Sequence, residues 1–163
     1  MNKKDLLVLS FCIFAIVFRL FPHPPNFTPI TSLAIFGGFY FTNKWVKMLL
    51  PICLMFISDL VLGFSWITPW VYISFMLISL ISMYVSEINS KVVFMSSVMF
   101  FIITNFGVWI LGYPQTMEGL LMCYTLAIPF FVNSLLGDFF FSYLLKHTFQ
   151  FTENKVFKYN IGR

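Results

Sequence analysis

Six apolar runs, each bounded by prolines, glycines or short polar loops, leave this chain few folds to choose from. They are roughly Leu6–Phe21, Ile30–Phe41, Trp45–Phe64, Trp70–Val85, Val92–Leu111 and Leu120–Leu145. Only helices and closed barrels satisfy their backbone polar groups inside a bilayer, and a spanning helix needs about 17–25 residues. The runs therefore predict a bundle of transmembrane helices. Composition agrees: 60% of the 163 residues are hydrophobic and 10% are charged, against about 25% charged in soluble domains. The three cysteines show no CxxC spacing, so neither a disulfide framework nor a zinc site is indicated.

The second run is too short to be an ordinary span, and the basic residues arbitrate its status. Cytoplasmic loops carry an excess of Lys and Arg. With six spans and an inner N-terminus, the inner side holds Lys3, Lys4, Lys44, Lys47, Lys91, Lys146, Lys155, Lys158 and Arg163. That is nine of the ten basic residues, with only Arg19 towards the outside. A re-entrant second segment would put Lys44, Lys47, Lys91 and the basic tail outside. The reading is thus an all-α polytopic membrane protein with six transmembrane helices and both termini cytoplasmic. One transmembrane domain covers residues 1–147, and a basic cytoplasmic tail covers 148–163. The first run has the basic start of a signal peptide but no small-x-small cleavage site, and Arg19 interrupts its end. It is read as a retained helix. The tail is read as a solvated end drawn to anionic lipid, not to nucleic acid. Pro51 and Pro69 fall near helix starts, and Pro129 is expected to kink the last helix.

This topology leaves Pro22–Pro29, Ser65–Thr68 and Gly112–Met117 outside. His23, Asn26, Trp66, Trp70, Tyr72, Trp109 and Tyr113 lie in or beside these loops, with Asn105 and Cys123 within reach of the same end. They are the candidate lining of a small-molecule binding mouth. The competing reading is an aromatic belt, which expects Trp and Tyr at both interfaces; here only Trp45 lies at the inner one. Carboxylates within spans face the protein interior. Arg19 and Asp59 differ in depth by about 4–5 Å at about 1.5 Å per residue, a gap an Arg side chain closes, so a structural ion pair is expected. Asp138 has no basic span residue at its depth. It is expected to be protonated or bonded to Ser or Asn on a neighbour, with a proton relay as the alternative. Asn105 and Asn133 are expected to bond between helices, and Cys12 and Cys53 to be buried thiols.

Three blocks carry a resemblance: FRLFPHPPNFTPITSLAIFGG, LPICLMFISDLVLGF and TNFGVWILGYPQTMEGLLMCYTLAIPFFVNSLLGD. In these the chain resembles small six-helix bacterial membrane proteins that look like the substrate-binding S components of energy-coupling-factor vitamin transporters. It is similar in plan to BtuM-type proteins, solitary relatives that take up cobalamin. The resemblance implies an S-component-like bundle in the inner membrane that holds a vitamin-like cargo near the outer face. Cobalamin or another corrinoid is the first candidate cargo, and no resident cofactor is implied. S components often carry small residues four apart on the first helix, where the coupling module docks. LLVLSFCIFAIVFRLF has no Ala pair at that spacing, which favours solitary action. BtuM-type proteins ligate cobalt with a Cys after the third helix, and FSWITPWVYISF has none. A neutral His23 ring could ligate a metal; alternatively, the His before two prolines shapes the loop. No nucleotide-binding motif occurs, so ATP use would need an energy-coupling partner. The rival readings are a membrane enzyme, with no HExxH, GxSxG or paired His to support it, and a packing subunit of a larger complex.

Overall fold

The computed structural model of the protein describes residues 3–41 and 43–161, with side chains for 10–41 and 43–152. It is all-helical: α1 Lys3–Leu20, α2 Ile30–Tyr40, α3 Lys44–Leu62, α4 Thr68–Ser82, α5 Ser90–Gly112 and α6 Met117–Ile161. Three stretches are long and apolar enough to cross a membrane: Lys44–Leu62, Ser90–Gly112 and Met117–Thr152. Ser10–Leu20, Ile30–Tyr40 and Thr68–Ser82 are shorter apolar helices. Large apolar side chains such as Leu60, Val61, Met95, Leu121 and Phe140 stand exposed along them. A continuous apolar exterior of this kind marks a membrane protein, because water would not tolerate it.

The helix ends follow from local chemistry. Asn43 caps α3 by accepting from Trp45 N at 2.9 Å. Asn89 caps α5 by accepting from Lys91 N and Val92 N, both at 3.1 Å. Such caps satisfy backbone donors that lack a partner in the first turn. Pro69 sits in the first turn of α4, where a missing N–H costs nothing. Gly63 ends α3 at φ 90°, a backbone conformation that side chains resist. Pro51 is not near a helix start. It lies two turns inside α3, as Pro129 lies inside α6.

The short second run has a clear place. Among the described residues, α1, α3, α4, α5 and α6 each pack on the next around a ring, and α2 touches all five. Every residue from Ile30 to Gly38 is buried. Protein surrounds α2, so its length is not set by contact with lipid. At its C-terminal end the absence of a side chain on Gly38 matters. A Cβ there would meet Ser79 O at 2.5 Å and Ser82 Cβ at 2.6 Å, so only glycine allows α2 and α4 this close.

Two expectations are corrected here. The helix expected to end at Leu145 runs without a break to Ile161, so residues 148–161 continue α6. Its backbone is about 67 Å long at about 1.5 Å per residue. Cys53 is exposed, unlike buried Cys12. It shares the outer face of α3 with exposed Leu49, Phe56, Ile57 and Leu60, since residues three, four and seven apart lie on one side of a helix.

Candidate functional site

α2 spans about 16 Å at about 1.5 Å per residue, roughly half the bilayer core. Its ring is therefore left unfilled at one end. The Phe21–Pro29 loop folds into that end, and two adjoining cavities occupy the remaining space. The polar cavity, about 340 Å³, is lined by Arg19, His23, Thr28, Thr31, Asp59, Ser65 and Thr68, among others. The aromatic cavity, about 300 Å³, is lined by Phe100, Phe101, Phe130 and Phe131, with Thr104, Asn105, Tyr113 and Cys123 as polar points. Asn26, Ile67, Val71, Phe100 and Ser134 border both. The loops after α1, α3 and α5 thus meet around one space.

Pro24–Phe27 makes the turn that brings the first loop into place. Phe27 N donates to Pro24 O at 3.0 Å, and Asn26 has φ 63°. Pro at the second position and Asn with positive φ at the third are the pattern of a type II turn. The turn rests on α6: a Cβ on Gly137 would lie 3.1 Å from Phe27 Cα. The Phe27 ring packs 5.5 Å from Phe141 and 6.2 Å from Phe140. His23 Nδ1 lies 2.6 Å from Phe21 O. A carbonyl only accepts, so Nδ1 carries the proton and, in the neutral ring, Nε2 carries the lone pair.

The expected ion pair is present. Arg19 Nη1 is 2.6 Å from Asp59 Oδ1. Arg19 also donates to the Ser58 hydroxyl and to Met55 O. Tyr72 donates from its hydroxyl to Asp59 Oδ2 at 2.8 Å. The network ties α1, α3 and α4 together along the wall of the polar cavity. Its fixed charges cancel, so the wall offers hydrogen bonds more than net charge.

The candidate residues divide. His23 joins the polar cavity, Asn105, Tyr113 and Cys123 the aromatic one, and Asn26 both. Tyr72 serves the ion pair. The three tryptophans expected at the mouth line neither cavity. Trp70 lies over Gly107, where a Cβ would come within 2.3 Å of its ring, and packs edge-on against Phe106. Trp109 donates from Nε1 to Pro114 O at 3.1 Å and so closes the α5–α6 turn. Trp66 is more than half exposed and lies against Gly112. Asn105 does not bond across helices through its amide nitrogen; it donates to Phe101 O on its own helix at 2.8 Å. Cys123 Sγ lies 3.5 Å from Asn105 O.

The sequence reading missed Thr28, Thr31, Thr104 and Ser134 as lining residues. Ser and Thr are common throughout apolar helices, and only helix rotation decides which ones meet a cavity. Among the described residues no group of three or more His, Cys, Asp or Glu gathers to hold a metal.

No curated protein and no solved structure matches this chain. The likeness to S components accordingly rests on the sequence blocks alone. A family model does match, over residues 1–159, and the chain belongs to that family, DUF6580, a family of unknown function.

Proposed function

We propose that this protein is a multi-pass inner-membrane uptake protein. In this reading it captures a vitamin-like small molecule at the outer face and moves it inward, acting alone in the manner of a solitary S component. The observation that carries the reading is the pair of adjoining cavities where three loops meet. Small-molecule sites are concave and mostly apolar, with a few placed polar groups, and the aromatic and polar cavities together have that character. The six-span topology is supported by the charges. Lys44 and Lys47 begin α3 and Lys91 begins α5, at the end opposite the cavities, so the positive-inside rule puts the cavities outside.

The volumes bear on the cargo. Cavities of about 300 and 340 Å³ suit a drug-sized molecule. A corrinoid is several times larger and would stand mostly outside them. A smaller vitamin or precursor, with a flat apolar body for the aromatic cavity and a hydrogen-bonding head for the polar one, fits better. The test is mass spectrometry of small molecules that co-purify with the protein, compared with Ser134→Leu, which fills the border of both cavities. The expected result is one compound enriched with wild type and lost from a normally folded variant. Equal recovery from both, or nothing above an unrelated membrane protein, would overturn the reading.

A further inference from the structure

Asp138 is 1% exposed in the middle of α6. Three elements pack against its helix, and among the described side chains none offers it a cation. α2 has no Lys, Arg, His, Asp or Glu; it presents Thr31 and Ser32. The one charged residue of α5 is Lys91, at its far end, and the residue facing Asp138 is Ser97. α1 reaches this level of α6 with Phe14 and Phe18, against Phe141, and its Arg19 is held by Asp59. On α6 itself, Lys146 is two turns away and donates to Ile88 O.

The hydroxyl geometry suits a proton on Asp138. Ser97 Oγ lies 3.1 Å from Val93 O and 2.6 Å from Asp138 Oδ2. A serine hydroxyl has one proton to give, a carbonyl oxygen has none, and an ionised carboxylate has none. Each contact is a full two-centre bond when Ser97 donates to Val93 O and accepts from Asp138, an arrangement that takes the un-ionised acid; an ionised Asp138 would have to share the single Ser97 proton with Val93 O. Low dielectric favours the same form, because a carboxylate without a cation at this depth is costly. Thr31, the other hydroxyl beside the carboxyl group, lines the polar cavity. Ser134, one turn before Asp138, borders both cavities.

We propose that Asp138 is a proton-binding site, neutral in the packed state shown, which exchanges its proton with the polar cavity past Thr31. On release the proton passes to cavity water and the carboxylate keeps the negative charge. Ser97 then turns its hydroxyl proton to the carboxylate, Val93 O loses its second bond, and an unpaired charge lies between α2, α5 and α6. That loosens the packing beneath the cavities. The use of this proton to drive cargo movement rests on the uptake reading; the protonation itself does not.

The test is infrared spectroscopy of the protein in proteoliposomes with isotope-labelled aspartate, of which the chain has three. At neutral pH the carbonyl band of an un-ionised carboxylic acid is expected in wild type and absent in Asp138→Asn. The band should fade as pH rises. Ser97→Ala should shift it by removing its hydrogen-bond acceptor, and Thr31→Val should slow its exchange in deuterated water. Carboxylate bands alone at neutral pH, or an acid band that survives Asp138→Asn, would overturn the site. Exchange unchanged in Thr31→Val would overturn the route. An intact band in a protein that yields no co-purifying molecule supports the proton site while removing the uptake reading.

Discussion

The Arg19–Asp59–Tyr72 network offers the sharpest energetic test, because its two charged members are not equally buried. Their side chains are 18% and 4% exposed, respectively. Arg19→Met strands Asp59 with only the Tyr72 hydroxyl. Breaking a buried pair from one side costs about 3–5 kcal/mol. Asp59→Leu strands Arg19 instead, but Arg19 keeps Ser58 and Met55 O as acceptors and can extend its head into the polar cavity. Its loss should be smaller, about 2–3 kcal/mol. The triple variant Arg19→Met, Asp59→Leu, Tyr72→Phe removes both charges and the hydroxyl that would lose its acceptor. It should recover most of the stability, as apolar replacements of buried pairs generally do. At about 2–4 °C per kcal/mol for a chain of this size, Arg19→Met should lower the melting temperature in detergent by about 6–20 °C, and the triple variant by much less. Additive losses, with the triple variant worst, would refute the argument.

Three further outcomes follow from the geometry. Asn26→Gly keeps the positive-φ turn and should melt like wild type, whereas Asn26→Ala should lose about 1–2 kcal/mol; if the amide binds cargo, co-purification falls in both, which separates turn from contact. Gly107→Ala pushes a methyl group into the Trp70 ring and should cost about 1–3 kcal/mol by overpacking; thermal melts should show recovery when Trp70→Leu is added, and no recovery would mean the crowding lies elsewhere. A reporter fused after Arg163 that is active only in the cytoplasm is expected from the distribution of basic residues; activity only on the outer side would place the cavities at the other face.

Much of the architecture was legible in the linear chain, because hydrophobic run length, proline, glycine and asparagine act locally. All six helices could be drawn from those signals, and the Arg19–Asp59 pair followed from depth along two helices, which needs only the fixed rise per residue. The Pro-Pro-Asn turn is likewise written in residue types that the backbone obeys without help. Rotation about each helix axis is a different matter. Nearly every face of these helices is apolar, so periodicity does not distinguish a lipid-facing side from a packed one. For that reason three tryptophans expected at the mouth proved to fill a slot over Gly107, close a turn or lie at the surface. Cys53 proved exposed and Ser134 proved central for the same reason. The place of α2 was decided by tertiary structure alone. An eleven-residue helix reads as defective by the rule for a helix in lipid. Enclosed by five others, it is the core of the bundle, and the space its shortness leaves is where the cavities form.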